Sequence, residues 1–532
     1  MWVACSRVDR RAIVGAGTVG DMKSGGEMPL DRDIARALRA SVSIAESGSA
    51  ASRIPPVSKL DGLTRAAAYH GVVGYVHETF EHTDLLPVAE QARIATFRER
   101  TVQAHLRVMA DLSHLRAVLD AAGIPWLVMK GPTLALPVHG RVEMRSYGDL
   151  DVLVEPHRFG RAIEALEDGG CRLVDQNWTL FRDQLKGELE LLLPAGTKLD
   201  LHWHLINERA VRDTFSIDIA GVIDRRRDVG VGADSVPTLS PEDTLVYVAT
   251  HATLSGADRL IWLKDVERLV TLELASVTAV QTRARQWAAN LPLAAAMTRA
   301  AAAMDGFAAG DPYLPRDLRS RAFLAVADVV WHRHPLESED GDGSVPRMLA
   351  RSVRARPSTS ARVWLGKAIA NVAGRYRRYP LTHEPDPSSP GSGRFPSGGP
   401  RVRQQFLAAV AASSPMRDAD PRGAPPATTC SEPEDVPGGE TPPAALRLRT
   451  EGVTWQALDD GLWMFDARTA RHFRLNETGA RLLSDLAAGA TQDELVQCVI
   501  SEFGADLQVA GRDVEAFLSM LEERDWLMPT SG

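Results

Sequence analysis

The spacing of apolar residues divides the chain into helical stretches around one stretch of strand character. From about residue 29 to 123, apolar side chains recur at intervals of three and four, which predicts helices. Short apolar runs and alternating patterns then predict strands at PWLVMKG (125–131), at YGDLDVLVEP (147–156), and in a hairpin within 188–206. The helical period returns from 240 to about 379. This order predicts an α+β fold, a mixed sheet with flanking helices.

The last third of the chain changes character twice. Residues 381–445 are rich in Pro, Gly and Ser, so we interpret them as a linker, interrupted by one helical segment at 401–412. Residues 446–532 contain three alternating stretches followed by three amphipathic stretches. They predict a small winged-helix domain, with a three-stranded antiparallel sheet and three helices. The predicted helix N-caps are Ser240, Asn476 and Thr491.

Composition narrows the class of protein. The length of 532 residues predicts more than one domain, and the net charge of −8 gives no support for nucleic acid as a partner. No apolar run approaches a membrane span. The cysteines are scattered, which fits a reducing cytoplasm: Cys5, Cys171, Cys430 and Cys498. AIVGAGTVG (12–20) has the spacing of a dinucleotide fingerprint, but no helix can follow it, so 1–28 are interpreted as a flexible leader.

Two aspartates interrupt a stretch that otherwise resembles a buried strand. Asp149 and Asp151 are two positions apart, so on a strand they point to the same face. Adjacent carboxylates repel one another unless a cation lies between them. KLDLHWHLI alternates in the same way, so Asp200 would complete a three-carboxylate site for Mg²⁺ if the two strands are neighbours. The alternative is that the aspartate pair lies on a solvent-facing edge. His202 and His204 share the face of Asp200. They are either residues of the same site or solvent-facing strand residues.

A second polar feature lies at the end of the first predicted strand. In VMKGPT (128–133) the glycine Gly131 allows backbone N–H groups to approach an anion. Lys130 adds positive charge, and Thr133 offers a hydroxyl group. Arg145, four residues before the first aspartate, is a candidate for neutralising a phosphate. A phosphate-bearing ligand is therefore expected near the aspartates.

These motifs resemble a known family. VMKGPTLAL, RSYGDLDVLVEP, LDLHWHL, SPEDTLVYVATHA and RLIWLKDVERL are similar to a bacterial nucleotidyltransferase family of the polymerase β-like superfamily, found in gene clusters for lasso peptides and other peptide natural products. The resemblance covers about residues 100–275. It implies that Asp149 and Asp151 bind Mg²⁺, or alternatively Mn²⁺, together with an NTP. Asp200 would be the third carboxylate and a candidate base.

The sequence departs from the superfamily pattern at one point, and the roles of two matching residues are left open. The superfamily usually has Gly-Ser or Gly-Gly in its phosphate turn, whereas here Lys130 and Gly131 are followed by proline. The exact phosphate contacts are therefore left open. His251 and Asp265 match positions of the closer family. On a helix, both can equally be structural.

The C-terminal segment resembles a second family. LWMFDARTARHFRLNETGARLLSDLAAGATQDELV is similar to PqqD-like domains, which implies recognition of a precursor peptide by addition of a strand to the sheet. The expected peptide contacts are strand residues Arg471, His472, Phe473, Arg474 and Leu475, and Phe517, Leu518 and Leu521 on the helix at 514–521. A purely structural appendage is the alternative. DNA binding is disfavoured because these helices are acidic.

Together the two resemblances predict an Mg²⁺-dependent nucleotidyltransferase. Residues 29–380 would carry the transferase, and residues 446–532 would capture a ribosomally made precursor peptide that accepts the nucleotide. Tethered capture raises the local concentration of peptide at the active site. Two alternatives stay open: an acceptor outside any peptide pathway, and a non-catalytic adaptor that only delivers the peptide.

Overall fold

The described part of the chain forms two compact units, one within residues 14–414 and one that joins residues 3–4 to the segment beyond 415. The computed structural model describes residues 3–4, 30–43, 60, 62–81, 83–232, 234–308, 311–333, 336, 345–377, 398–413, 447–449, 452–458 and 461–528. The glycine stretch 12–20 and most of the proposed linker lie outside these residues.

The first part of the chain contains a short strand and four helices, followed by the strands and short helices of a sheet region. The first elements are β1 (Val3–Ala4), α1 (Arg32–Val42), α2 (Leu63–His70), α3 (Val73–Phe80) and α4 (Val88–Ala121). The sheet region then contains β2 (Trp126–Val128), α5 (Pro132–His139), β3 (Asp149–Val154), α6 (Phe159–Asp168), β4 (Arg172–Leu173), α7 (Trp178–Gln184), β5 (Glu188–Leu192), β6 (Lys198–His202), α8 (Arg209–Arg212), α9 (Ile219–Asp224), β7 (Arg227–Val231) and β8 (Asp234–Thr238).

The remaining elements are mostly helical. After the sheet come α10 (Pro241–Leu254), α11 (Leu260–Thr271), α12 (Val277–Gln286), α13 (Asn290–Ala303), α14 (Leu318–Arg333), α15 (Val345–Ala350), α16 (Pro357–Arg377) and α17 (Pro400–Ala411). The C-terminal unit contains β9 (Arg447–Leu448), β10 (Val453–Leu458), β11 (Gly461–Asp466), β12 (Arg471–Leu475), α18 (Glu477–Ala487), α19 (Gln492–Phe503), α20 (Leu507–Glu523) and β13 (Leu527–Met528). None of the helices in the described residues has both the length and the apolar character needed to cross a membrane.

The larger unit is built on a mixed sheet of strand order β4-β5-β6-β3-β2-β8-β7. β3 runs parallel to β6 and antiparallel to β2, while β5 and β6 form an antiparallel hairpin. The α+β class and the hairpin are thus confirmed. The predicted N-cap Ser240 is also confirmed, since its side chain accepts a hydrogen bond from the backbone N–H of Asp243.

The alternation of β3 and β6 decides which side chains enter the core. Leu150 and Val152 on β3, and Leu199 and Leu201 on β6, are fully buried in one hydrophobic cluster. Because neighbouring residues of a strand point to opposite faces, the polar residues between them all project from the other face. Along the paired strands Asp151 lies directly opposite Asp200. The predicted strand neighbourhood is therefore confirmed.

Helix α17 lies inside the segment that the sequence indicated as a linker, yet it packs on the larger unit. Its residue Phe406 is fully buried, with ring centroids 6.4 Å from Phe159, 6.2 Å from Trp178 and 5.8 Å from Phe181. The contacts with Phe159 and Phe181 are edge-to-face and the contact with Trp178 is tilted; aromatic contacts of this kind stabilise a core beyond the buried area alone. The helical part of the linker is thus a structural element of this unit.

This packing predicts a measurable cost for a change in α17. Replacing Phe406 with leucine removes the three ring contacts and leaves a small cavity, so we expect the free energy of unfolding to fall by about 1–2 kcal/mol. Replacing the exposed Gln404 on the same helix with alanine should change it by less than about 0.5 kcal/mol. Calorimetric unfolding of the full chain measures both. Equal stability of the two variants would show that α17 does not hold this position in solution.

The smaller unit is a sheet covered by three helices. β10, β11 and β12 form the expected antiparallel meander, and β1 adds a fourth strand beside β12. The helices pack on one face of the sheet through a single apolar cluster. The predicted N-caps Asn476 and Thr491 are confirmed, and Thr491 forms a full capping box with Glu494.

Candidate functional site

The polar face of the central sheet gathers a cluster with the donor atoms of a metal site. Asp151, Asp200 and His202 each offer one ligand atom, and these atoms all lie within 4.8 Å of one another. Asp151 comes from β3, and the other two come from the neighbouring strand β6. The cluster is therefore positioned by the strand register rather than by a loop.

Asp151 is the most enclosed member of the cluster. Its Oδ1 lies 3.3 Å from Nζ of Lys130 and 3.3 Å from Nε2 of His202. Its Oδ2 is buried and accepts no hydrogen bond. Burial alone would raise the pKa of this carboxyl group, but the charges of Lys130 and His202 outweigh burial and lower it. Asp151 therefore stays ionised, and one of its carboxylate oxygens has no hydrogen-bond partner.

The pKa of Asp200 is shifted in the opposite direction from that of Asp151. Burial, followed by the negative charges of Asp151 and Glu188, raises its pKa to about 8. A buried carboxylate and a half-buried one side by side thus do not both ionise easily without a cation between them. A divalent cation would bind the Asp151 oxygen that has no partner, and its charge would offset the repulsion between the two carboxylates. The residues present therefore fit such an ion.

His202 belongs to this site, a question that the sequence left open. Its ring lies between two carboxylates, with Nδ1 3.2 Å from Oε2 of Glu188 on β5. Burial opposes protonation, but Glu188 and then Asp151 raise the pKa of His202. Glu188 was not singled out in the sequence, although the alternation of ELELLLP and a hairpin register would place it opposite His202. His204 is not part of the cluster; its Nδ1 accepts from the backbone N–H of Ile206.

Asp149 lies at the edge of the cluster. It begins β3, two residues before Asp151, and remains partly exposed. Burial, followed by the charge of Asp151, raises its pKa. Asp149 shares the face of the cluster but is not within the 4.8 Å group. Its role as a metal ligand stays a prediction.

The turn between β2 and α5 brings Lys130 to the carboxylates. Gly131 has φ +76°, a conformation that favours glycine, and α5 begins at the next residue. The Lys130 ammonium lies 3.4 Å from Nε2 of His251. Burial and the Lys130 charge lower the pKa of His251 to about 3, so its neutral ring can accept this bond. Thr133, the second residue of α5, is buried with its hydroxyl 3.4 Å from the Lys130 carbonyl.

Arg145 is buried and forms its closest contacts with Asp265. Its Nε and Nη2 donate to the two oxygens of Asp265 at 2.8 and 2.9 Å, and both side chains are buried. Asp265 also contacts Nε2 of His139 at 2.7 Å, and His139 Nδ1 lies 2.7 Å from the Tyr75 hydroxyl. This places Asp265 in a buried network. A phosphate contact of Arg145 stays a prediction.

In the described residues, both edges of the predicted peptide-binding strand β12 are paired, one with β11 and the other with β1. Val3 pairs with Arg474 and Ala4 with Phe473, in antiparallel register. Arg471 is exposed, Phe473 and Arg474 are partly exposed, and His472 and Leu475 are buried. On α20, Phe517, Leu518 and Leu521 are buried in the apolar cluster, so they are core residues in this structure. As peptide contacts they stay predictions.

Family comparisons assign the two parts of the chain. Residues 57–305 match the family model described as "uncharacterised nucleotidyltransferase". Residues 461–527 match the model of coenzyme PQQ synthesis protein D, PqqD. The chain joins a nucleotidyltransferase-family domain to a PqqD domain. No curated protein matches it.

Solved structures that are similar to parts of the chain include these three. A lasso peptide synthetase B1 complexed with the leader peptide is 28% identical and covers 16% of this chain and 100% of its own, with a TM-score of 0.15. TbiB1 in complex with the TbiA(beta) leader peptide is 24% identical, with coverages of 16% and 99% and a TM-score of 0.15. An antigenic nucleotidyltransferase-like protein from Paracoccidioides brasiliensis is 15% identical, with coverages of 34% and 88% and a TM-score of 0.22. The family models, and not these low-scoring superpositions, assign the domains.

Proposed function

We propose that this protein transfers a nucleotidyl group from an NTP to a ribosomally made precursor peptide, which its PqqD domain captures. The observation that carries the proposal is the pair Asp151 and Asp200, in register on parallel strands, with one carboxylate oxygen lacking a partner. The match of residues 57–305 to a nucleotidyltransferase family supports the same activity. The match of the C-terminal domain to PqqD supports a peptide as the acceptor.

In this mechanism the chain supplies ligands, positive charge and a base. Asp151, Asp200 and His202 would hold a divalent cation, with Asp149 as a further candidate. Such a cation, when bound, would neutralise the triphosphate and orient its α-phosphate. The acceptor hydroxyl oxygen attacks the α-phosphorus, the bond to the bridging oxygen breaks, and pyrophosphate leaves. Asp200, ionised when a cation is bound beside it, would take the hydroxyl proton.

The turn before α5 supports triphosphate binding. Helix N-termini carry partial positive charge and attract phosphates, and α5 starts directly after Gly131. Lys130 brings a full positive charge to the same end of the sheet. We therefore propose that the β- and γ-phosphates bind at this turn. Thr133 is a further candidate phosphate contact, and Arg145 is the last of the phosphate contacts that the sequence predicted.

The decisive experiment measures the mass of the acceptor. A candidate precursor peptide, chosen from any small reading frames next to the gene, is incubated with the full chain, Mg²⁺ or Mn²⁺ and each NTP. We expect a gain of one nucleoside monophosphate, with label retained from [α-³²P]NTP and not from [γ-³²P]NTP. A peptide that lacks its N-terminal leader should react at least about 10-fold more slowly, because capture raises its local concentration. Retention of the γ-label would indicate phosphoryl transfer, and an unmodified but bound peptide would favour the adaptor.

The pairing of β1 with β12 leads to a prediction about peptide affinity. An incoming peptide strand would compete with Val3 and Ala4 for the edge of β12, and a tethered competitor has a high effective concentration. Deletion of residues 1–28 should therefore tighten peptide binding by about 3- to 10-fold, measured by fluorescence anisotropy of labelled peptide. The full-length variant with Val3→Pro and Ala4→Pro, which removes two backbone donors, should shift in the same direction. Unchanged affinity in both would show that the edge is not the peptide site.

A further inference from the structure

On the polar face of the sheet, the ammonium groups of Lys130 and Lys198 contact different carboxylates. The ammonium of Lys198 lies 3.4 Å from a carboxylate oxygen of Glu190, which is not one of the candidate metal ligands. The ammonium of Lys130 lies 3.3 Å from Oδ1 of Asp151, which is one of those ligands. Two lysines on one face thus differ in whether they compete with a metal ion.

Lys130 is held at this position from several sides. It follows β2 by two residues, and Gly131 fixes the turn after it. Its ammonium also donates to the neutral ring of His251. The side chain is 19% exposed, so the charge is largely removed from water and depends on Asp151 for compensation. Without a bound cation, Lys130 is therefore the principal positive partner of Asp151 besides His202.

A divalent cation on the same carboxylate would face this ammonium at short range. Metal–oxygen distances are about 2.0–2.1 Å for Mg²⁺, so ion and ammonium would share one carboxylate group whichever of its oxygens is the ligand. Like charges at such range repel strongly when they are shielded from water. A triphosphate, by contrast, offers oxygens to both. Lys130 can leave Asp151 for the phosphates, and the metal ion can then occupy the carboxylates.

We propose that Lys130 is the resident counter-ion of the carboxylate cluster and exchanges Asp151 for the triphosphate, so that metal and nucleotide bind together rather than the metal alone. This inference rests on the proposed function, since it deepens the role of the same site. It assigns to Lys130 a positioning role that goes beyond phosphate attraction: it keeps the acidic cluster assembled and disfavours a metal ion that arrives without a triphosphate.

The test is a comparison of metal and triphosphate affinity in the full-length protein. Mn²⁺ binding is measured by the loss of the free-ion EPR signal, and binding of inorganic tripolyphosphate in the presence of Mg²⁺ is measured by calorimetry. We expect Lys130→Met to bind Mn²⁺ alone at least about 10-fold more tightly and tripolyphosphate at least about 10-fold more weakly. Lys130→Arg keeps the charge and should stay within about 3-fold of the original protein for Mn²⁺.

Lys198→Met is the matched control. It removes the same charge from the same face, but from Glu190 rather than from Asp151. We expect less than about a 3-fold change in either affinity. Equal tightening of Mn²⁺ binding in both methionine variants would show that the proposed exchange at Lys130 is wrong. The loss of any positive charge from this face would then explain the result.

The outcomes separate this inference from the proposed function. If Mn²⁺ binds the original protein and Asp151→Asn abolishes binding, but Lys130→Met binds no more tightly, the metal site stands and the exchange is wrong. If Mn²⁺ binds neither the original protein nor Lys130→Met, both the site and the exchange are wrong. Opposite shifts of the two affinities in Lys130→Met support the exchange, since mere loss of structure would weaken both.

Discussion

Replacing Asp151 with asparagine is expected to lower the rate of nucleotide transfer by at least about 100-fold. The amide preserves the shape of the side chain but removes the charge that Lys130 and His202 now compensate. It also removes the open carboxylate oxygen through which a metal ion would be held. Loss of one preorganised electrostatic contact at a reaction centre typically costs a factor of about 10²–10³ in rate. Single-turnover transfer of labelled NTP to the peptide measures the effect.

The matched control for this prediction is Glu190→Gln. Glu190 lies opposite Asp200 on β5, so it shares the polar face, but it pairs with Lys198. Its neutralisation removes one negative charge at a similar position and should change the rate by less than about 3-fold. Peptide affinity should be unchanged in both variants, because the PqqD domain is not altered. Full transfer activity in Asp151→Asn would disprove the proposed site.

Residues close in sequence made the core of the site predictable. Asp149 and Asp151 are two positions apart on a strand, and the alternation of KLDLHWHLI places Asp200 and His202 on one face without knowledge of the fold. Only the neighbourhood of the two strands had to be assumed, and the parallel pairing of β3 and β6 confirms it. The capped helices and the meander of the C-terminal domain were predictable for the same local reason.

Contacts between residues distant in sequence were not predictable. Arg145 looked available for a phosphate because its partner Asp265 is 120 positions away, on a helix of another layer. Phe406 looked like part of a linker because its surroundings are rich in Pro and Gly, whereas its burial depends on a pocket of three distant aromatic rings. A hydrophobic pattern shows that a face must be buried but not against which element.

Removal of the Asp265 carboxylate is expected to have the second large effect, on stability. Asp265→Ala leaves the guanidinium of Arg145, only 4% exposed, without its bidentate partner, and removes the hydrogen-bond partner of Nε2 of buried His139. An unpaired buried charge of this kind costs about 3–5 kcal/mol of unfolding free energy. Calorimetric unfolding of the full chain should show one transition shifted to lower temperature. The comparison is Asp213→Ala, which breaks an exposed pair with Arg209 and should cost less than about 1 kcal/mol.

A double variant distinguishes the structural role of Arg145 from a role in phosphate binding. In Arg145→Met with Asp265→Leu no buried charge is left unpaired, so most of the lost stability should return. If Arg145 only anchors the segment before β3, this stable variant should bind tripolyphosphate as tightly as the original protein does. If Arg145 also reaches a phosphate, its affinity should stay reduced although stability has recovered. A loss of less than about 1 kcal/mol in Asp265→Ala itself would show that the network is not a structural support, and would leave Arg145 free to serve the nucleotide.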